Sequence, residues 1–502
     1  MTDYSAYETV IGLEVHAQLQ TASKLFCGDS IAFGAEPNTH VSPITLGHPG
    51  TLPKMNRKAI EYAVKMGLAC HAEIVKQNYF ARKNYFYPDL PKGYQVSQHT
   101  TPICRGGYVK IKTAGGREKN IRLNRIHMEE DAGKSIHDAD VCNTCIDYNR
   151  AGTPLIEIVT EPDLCSGEEA FAYLTEIRKL VRYLGICDGN MEEGSLRCDA
   201  NISVRKKGET VLGTKVEIKN LNSIRNVKRA IEAEAERLTN MLESGETITQ
   251  QTRGFDAGNG TTFPIRDKED ADDYRYFPEP DLAPFLLDDG FIERVRQTIP
   301  ALQEERIKKY SAEYSLPLYD ATVITEERAI AEYFEKILAS FLPSPRNGEG
   351  QGVRAKAASN WMLGPVRSWL NEHNREITEF PLQPFQLASV IELVEKGKLS
   401  FSVASGRLFS LLLKKPQAGP EELAVEHNLI QQSDLSAIGP IIESVLLKFA
   451  DKVAEYKKAR PNGSSGRRQK GLLALFVGEV MKQSKGKADP KLTNDLLLEK
   501  LK

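Results

Sequence analysis

Two long segments in which apolar and polar residues alternate strictly constrain the fold of this chain more than any other feature. In Val10–Leu19 the polar positions include Glu14, His16 and Gln18, and Ser195–Arg205 repeats the design. Successive side chains of a β-strand point to opposite faces of a sheet, so each segment is predicted to be a strand with one buried face. The other face carries a row of polar groups.

The remainder of the first 293 residues continues with short alternating segments and turn residues, which predicts a mixed or largely antiparallel sheet with added helices. From about Arg294 the strand signals give way to long charged helical patterns. We therefore predict an α+β chain with a sheet domain at residues 1–293, followed by an all-helical part.

Two segments interrupt the helical part. Pro343–Gly352 contains residues that cannot continue a helix, so we expect an exposed insertion there. Arg460–Gly466 is predicted to be a hinge that precedes helices at Leu472–Ser484 and Pro490–Leu501. The stretch Lys452–Lys502 is basic, which fits either a solvated helical surface or a contact with a nucleic-acid backbone.

Composition limits the class of protein. The net charge of −2 argues against nucleic-acid affinity over the whole surface, and eight cysteines in 502 residues do not form the dense pattern of a disulfide-stabilised secreted domain. The first residues lack the basic and apolar regions of a leader, and no apolar run reaches the roughly 18 residues of a membrane span. We expect a soluble protein of the cytoplasm with reduced thiols.

Acidic side chains mark a candidate site. Glu14 and His16 project in the same direction and form a partial coordination set for a divalent cation, although polar pairs are common on any solvated strand. Glu157 is the single acid of the apolar strand Leu155–Val159, so it must be paired, protonated or coordinating, for example in a buried salt bridge. The run His127–Asp131 adds acids that an exposed turn would also explain. Together these segments predict an acidic, metal-binding cleft.

A phosphate-binding loop is not evident. The segment Ala132–Ser135 resembles the end of a P-loop, but Met128 stands where the first glycine belongs. A nucleotide would therefore be bound by another architecture, with basic side chains as phosphate partners unless they form ordinary surface salt bridges. The candidates are Arg82, Lys83, Arg197 and Arg275.

Six segments together resemble the aspartyl/glutamyl-tRNA amidotransferase B subunits, nearly from end to end. They are Val10–His16, Arg82–Asp89, His127–Lys134, Gly152–Glu157, Met191–Asn201 and Asp272–Phe277. The resemblance implies a cradle-shaped catalytic domain at residues 1–293, a helical domain at 294–430 and a small YqeY-like helical tail at 431–502 that contacts tRNA.

The resemblance also implies the chemistry of the site. Glu14, His16, Glu130 and Glu157 would hold Mg²⁺ and act in catalysis, with Glu129 as the rival for one place. The family is a glutamine-dependent amido-ligase that uses ATP to phosphorylate the side chain of Glu-tRNA(Gln), Asp-tRNA(Asn) or both, and then amidates it. Ammonia would arrive from an amidase A subunit, and a small C subunit would brace the pair. A non-catalytic tRNA-binding scaffold and a stand-alone kinase remain alternatives.

One departure from the family concerns zinc. Many relatives carry four cysteines near the N-terminus, whereas this chain has only Cys27, with Asp29, Ser42 and Thr45 at the other positions. The pair Cys142-x-x-Cys145 has no second pair of the same spacing. We therefore expect no structural zinc.

Overall fold

The structure of this chain is a computed structural model that describes residues 4–137, 142–267, 274–341, 351–430, 435–458, 464–484, 488 and 490–501. Residues 343–350 of the predicted insertion, residues 460–463 of the predicted hinge, and Asp272 and Asp273 lie outside the described part. The chain divides into two compact units, Met1–Leu302 and Gln303–Lys502.

The strands of the described residues all lie in the first unit. They are β1 Tyr7–Gln18, β2 Glu73–Ile74, β3 Gln77–Asn78, β4 Ala81–Asn84, β5 Tyr94–Ser97, β6 Cys104–Arg105, β7 Tyr108–Lys112, β8 Glu118–Glu130, β9 Lys134–Ile136, β10 Cys145–Asp147, β11 Pro154–Thr160, β12 Leu196–Lys206, β13 Val216–Leu221, β14 Gln251–Asp256, β15 Thr261–Asp267, β16 Arg275–Pro278 and β17 Phe285–Leu286.

Most of these strands form one large mixed sheet, in the order β15-β14-β13-β12-β1-β11-β8-β5-β4-β16. Strand β1 pairs antiparallel with both β12 and β11, whereas β13 and β14 run parallel. The two segments with strict alternation are therefore neighbouring strands of the central sheet. The prediction of an α+β fold is confirmed.

Helices cover one face of this sheet and make up the second unit. Their bounds are α1 Arg57–Ala69, α2 Gly167–Leu184, α3 Ile224–Glu243, α4 Asp289–Gln297, α5 Gln303–Glu313, α6 Leu318–Ile324, α7 Arg328–Ser340, α8 Gln351–Trp361, α9 Arg367–His373, α10 Pro384–Glu395, α11 Phe401–Val403, α12 Phe409–Lys414, α13 Pro420–Glu426, α14 Leu435–Lys448, α15 Ala450–Lys458, α16 Ser464–Gln483 and α17 Pro490–Leu501. Short 3-10 helices lie at Tyr4–Ala6 and Ile377–Glu379, and π-helical turns lie at Met362–Val366 and Ala404–Leu408.

The core of the first unit lies between the sheet and helices α1, α2 and α3. Leu13 and Val15 of β1 are fully buried, as are Tyr173 of α2 and Val227 of α3. Side chains buried on this face stabilise the fold by roughly 1.5–3 kcal/mol each. Packing of the helices on one face leaves the opposite, polar face of β1 and its neighbours available for a site.

The second unit has two separate cores. Helices α5 to α13 bury one cluster that includes Trp361, Phe334 and Leu387. Helices α14 to α17 bury a smaller one around Ile442 and Phe476. The last four helices therefore pack around a core of their own.

Several local predictions need correction. Strand β1 begins at Tyr7, three residues before the predicted start, because Tyr7 pairs with Lys206 in the register with β12. Gly352, at the end of the predicted insertion, lies in α8, and residues 464–466 of the predicted hinge begin α16. A glycine in a helix costs only about 1 kcal/mol, which packing of the apolar residues that follow offsets.

Candidate functional site

Three ionisable side chains lie in one row across the polar face of the sheet. His16 of β1 is directly opposite Glu157 of β11, which is opposite His127 of β8. Directly opposed side chains in an antiparallel pair lie close together on one face of the sheet. The register alone therefore brings residues far apart in the sequence into a single site.

The inner cluster consists of His16, Glu129 and Glu157, whose potential ligand atoms all lie within 4.8 Å of one another. Nε2 of His16 is 3.7 Å from Oε2 of Glu157. Glu157 and Glu129 are buried. The cluster has the residue types and the spacing of a divalent-cation site.

His127 lies beside the inner cluster and contacts both of its acids. Its Nε2 atom is 3.1 Å from Oε2 of Glu157 and 3.1 Å from Oε1 of Glu129. Burial alone would lower the pKa of His127, but Glu157 and Glu129 raise it to about 9. Burial would raise the pKa of Glu157, yet His127, followed by His16 and Lys83, holds it well below its usual range. The charges of the two carboxylates therefore favour the protonated form of His127 between them.

The outer cluster consists of Glu14, Asp199 and Glu217, which also lie within 4.8 Å of one another. Glu14 is directly opposite Asp199 in the pairing of β1 with β12. Lys219 of β13 donates a hydrogen bond of 2.7 Å to Asp199 and lies 3.2 Å from Glu217. Like charges directly opposite each other are unfavourable, so this arrangement needs further positive charge.

The pKa of Glu14 reflects the excess of negative charge in the outer cluster. Burial raises this pKa, and the neighbouring acids Glu157, Glu217 and Asp199 raise it further. A hydrogen bond of 2.8 Å from Asn201 to Glu14 only partly offsets these effects. A cation bound at the outer cluster would relieve the repulsion.

Both clusters open into one cleft of about 340 Å³. Its lining residues are mostly polar and come from strands of the large sheet and from residues next to the ends of β5 and β16. They are Glu14, His16, Lys83, Ser97, Gln98, His99, Arg125, His127, Glu129, Glu157, Asp199, Glu217, Lys219, Tyr274 and Tyr276. Burial lowers the pKa of Lys83, but Glu129 and its other neighbours raise it above the ordinary value, so Lys83 stays charged in the cleft.

Some residues selected from the sequence lie elsewhere. Glu130 accepts hydrogen bonds from Lys92 at 2.6 Å and from the backbone N–H of Val96 at 2.8 Å. Side chains alternate along β8, so Glu130 faces away from Glu129 and the inner cluster. The structure thus brings together Glu14, His16, Glu157 and Glu129, and it leaves Glu130 outside that group.

The four basic candidates also differ in whether they line the cleft. Lys83 lines the cleft, whereas Arg82, Arg197 and Arg275 are not among its described lining residues. Arg82 donates two hydrogen bonds to Glu279, at 2.7 and 2.8 Å, and Arg197 donates one of 2.8 Å to Asp131. Arg275 is exposed on β16. Of these side chains, Lys83 is placed to meet a ligand in the cleft.

The sequence reasoning missed Glu217 and Lys219. Both alternate with the apolar residues Val216 and Ile218, the same signal that drew attention to Glu14. The segment is short, and its partner strand cannot be identified from the sequence. Pairing with β12 places Glu217 opposite Asn201, on the polar face.

The four positions at which many relatives carry zinc-binding cysteines lie close together in this structure. Asp29 accepts a hydrogen bond of 2.8 Å from the backbone N–H of Ser42 and another from the hydroxyl of Thr45. The sulfur of Cys27 is 3.4 Å from the hydroxyl oxygen of Thr45. Hydrogen bonds between polar side chains therefore connect these loop positions.

None of the helices in the described ranges is long and apolar enough to cross a membrane.

Comparison with known proteins identifies the family. Residues 9–293 match the model of the GatB/GatE catalytic domain, and residues 348–501 match that of the GatB domain. Proteins named as B subunits of aspartyl/glutamyl-tRNA(Asn/Gln) amidotransferase are similar over their full length. The one from Geobacter sp. (strain M21) is 49% identical and the one from Thermodesulfovibrio yellowstonii is 47% identical, each over 99% of both chains. The chain therefore belongs to the GatB family of tRNA amidotransferases.

Proposed function

We propose that this chain is the catalytic B subunit of a glutamine-dependent amido-ligase that acts on Glu-tRNA(Gln), Asp-tRNA(Asn) or both. The observation that carries the proposal is the cleft, where five carboxylates and the side chains of Lys83 and Lys219 converge from neighbouring strands. Such a site suits a triphosphate with its divalent cations. The names of the relatives support the same substrates.

The two acid clusters fit Mg²⁺, whose preferred ligands are carboxylate oxygens. His16, Glu129 and Glu157 would hold one ion, and Glu14, Asp199 and Glu217 would hold another. This proposal replaces Glu130 by Glu129, because Glu130 already pairs with Lys92. Bound Mg²⁺ would neutralise phosphate charge and favour in-line transfer.

The reaction overcomes the poor reactivity of a carboxylate toward ammonia. A side-chain oxygen of the aminoacyl group attacks the γ-phosphorus of ATP, and the bond from this phosphorus to the bridging oxygen breaks, which releases ADP. The nitrogen of ammonia then attacks the activated carbonyl carbon. The carbon–oxygen bond to phosphate breaks, and phosphate and a proton leave.

The protein's own side chains have separate roles in this scheme. Lys83 lies in the cleft as a fixed positive charge for the phosphates, and Lys219 holds Asp199 and Glu217 of the outer cluster in position. His127 is a positioning residue, since its charged ring holds Glu129 and Glu157 through contacts of 3.1 Å. Preorganised charge of this kind needs no rearrangement when the phosphoryl group is transferred.

We further propose the domain roles expected from the sequence. Residues 1–293 would carry the chemistry, 294–430 would form a helical domain, and 431–502 would contact tRNA. The match to the catalytic-domain model at residues 9–293 supports the first assignment. The separate core of α14 to α17 supports the third only in its bounds. Ammonia would come from an amidase A subunit, with a small C subunit completing the complex.

The proposal is tested by Glu157→Gln and Glu129→Gln in the reconstituted complex, assayed with both charged tRNAs for phosphorylated aminoacyl-tRNA and amidated product. Both products should be lost, while Glu8→Gln serves as the matched control on β1. Normal phosphorylation by Glu157→Gln would favour a scaffold whose acids are structural. ATP turnover by the chain without tRNA would instead support the stand-alone kinase.

A further inference from the structure

Aromatic side chains form one wall of the cleft. The ring centroid of Tyr274 lies 5.4 Å from that of Tyr85 and 6.4 Å from that of Tyr276. The interplanar angles are 73° and 70°, so both neighbours meet Tyr274 edge to face. Two edge-to-face contacts of this kind fix the position of the Tyr274 ring.

Tyr274 differs in this respect from Tyr276. The ring of His99 stacks on Tyr276 at a centroid distance of 4.0 Å and an angle of 15°, so a face of Tyr276 is already occupied. Tyr274 instead keeps 41% of its surface exposed while it lines the cleft. It is an oriented ring with a large accessible surface.

Lys83 connects this ring to the acid clusters. Its ammonium nitrogen lies over one face of the Tyr274 ring, 4.8 Å from the centroid, so a base would stack on the other face. Lys83 lines the same cleft as Glu129 and Glu157. A nucleotide whose phosphates meet Lys83 and the cation sites would therefore have its base on the side of Tyr274. Stacking on aromatic side chains is a common mode of recognition for unpaired bases.

We propose that Tyr274 provides the stacking surface for a nucleobase in this cleft. The proposal rests on the proposed function and adds a specific residue to it. The base has two possible sources, namely the adenine of ATP and the terminal adenosine of the aminoacylated tRNA. Both present the same flat ring system.

The first arm of the test measures the affinity of the full chain for ATP and for inorganic tripolyphosphate, each with Mg²⁺, by calorimetry. Tripolyphosphate has the charges but no base. Tyr274→Ala should weaken ATP binding about ten-fold and leave tripolyphosphate binding unchanged. Tyr274→Phe, which keeps the ring, should bind ATP as the wild type does. Tyr319→Ala, which removes an exposed ring of α6, is the control.

The second arm compares full-length tRNA with tRNA that lacks its terminal adenosine. If the terminal base stacks on Tyr274, Tyr274→Ala weakens binding of the full-length tRNA only, and the source is tRNA. Equal weakening of ATP and tripolyphosphate, or no weakening in either arm, overturns the assignment. A wild-type chain that binds neither ATP nor tripolyphosphate overturns the proposed function, and this assignment with it.

Discussion

Nε2 of His127 lies 3.1 Å from Oε2 of Glu157, in the interior of the first unit. Both side chains are buried, so each charge depends on the other. Removal of one partner of a buried ion pair is costly because the remaining charge has no compensation. A change in the charge of the proposed cation site should therefore also change the stability of the fold.

We predict that His127→Gln lowers the free energy of unfolding of the metal-free chain by about 3 kcal/mol. Added Mn²⁺ should raise the unfolding midpoint more in the variant than in the wild type, because the ion replaces the lost positive charge. Denaturant unfolding with and without Mn²⁺ measures both effects. His48→Gln, at an exposed position, is the control. Equal shifts by Mn²⁺ in both chains would refute the coupling.

The two acid clusters should bind separate ions. We predict that the wild-type chain binds two Mn²⁺ ions in the presence of ATP, as measured by electron paramagnetic resonance. Glu157→Gln removes an inner ligand and Glu217→Gln removes an outer one, so each should lose one ion. Glu130→Gln should keep both ions, since Glu130 pairs with Lys92. Loss of an ion in Glu130→Gln would return that residue to the ligand set.

Substitutions of the adjacent residues Arg82 and Lys83 should have different effects. The first should lower the stability of the fold, and the second should weaken ATP binding. Arg82 forms two hydrogen bonds to Glu279 and lies 4.4 Å from the ring centroid of Tyr94, so Arg82→Gln should destabilise the fold by about 2 kcal/mol. Its affinity for ATP should stay near that of the wild type. Lys83→Gln should instead weaken ATP binding about ten-fold, because it removes a charge from the cleft. Equal loss of affinity in both variants would contradict this division.

The sequence predicts the site wherever strand periodicity is unambiguous. The alternation around Glu14 and His16 predicts their shared face, and the apolar neighbours of Glu157 mark it as a buried acid. The sequence alone leaves Glu129 and Glu130 as rivals for one place. The extension of β8 to Glu130 separates them, since Glu130 is in phase with the buried Met128. The resemblance pointed to Glu130, whereas the local pattern favours Glu129.

Other parts of the site depend on strand order, which the sequence does not reveal. Glu217 joins Glu14 only because β13 and β1 flank β12. Arg82 and Lys83 are adjacent in the sequence, and only the position of Glu279 shows that Arg82 is already paired. Long-range pairing decides these roles, whereas local composition decides which strands and helices form.

Because of Asp29, the stability of the first unit should decrease as the pH falls through the acidic range. Burial would raise its pKa, but hydrogen bonds from Thr45 and Ser42 hold it below the ordinary value. A lowered pKa in the folded state means that this stabilisation is complete above about pH 5 and is lost as the pH falls through the folded pKa. Asp29→Asn should therefore lose stability at neutral pH and differ less from the wild type in acid. A difference that is constant with pH, in urea unfolding, would contradict the argument.

The tail formed by α14 to α17 should bind tRNA through exposed lysines of α16. Deletion beyond Ala459 would remove Phe476 and Leu497 from the core of these helices, so point substitutions are the sharper test. Lys470 and Lys482 are exposed, and the double change Lys470→Gln with Lys482→Gln should weaken tRNA binding. If both contact phosphates, the slope of log affinity against log salt should fall by about 2, since each contact releases roughly one counterion. Lys112→Gln, on an exposed position of β7, is the control. An unchanged slope in the double variant would assign these lysines to a solvated surface.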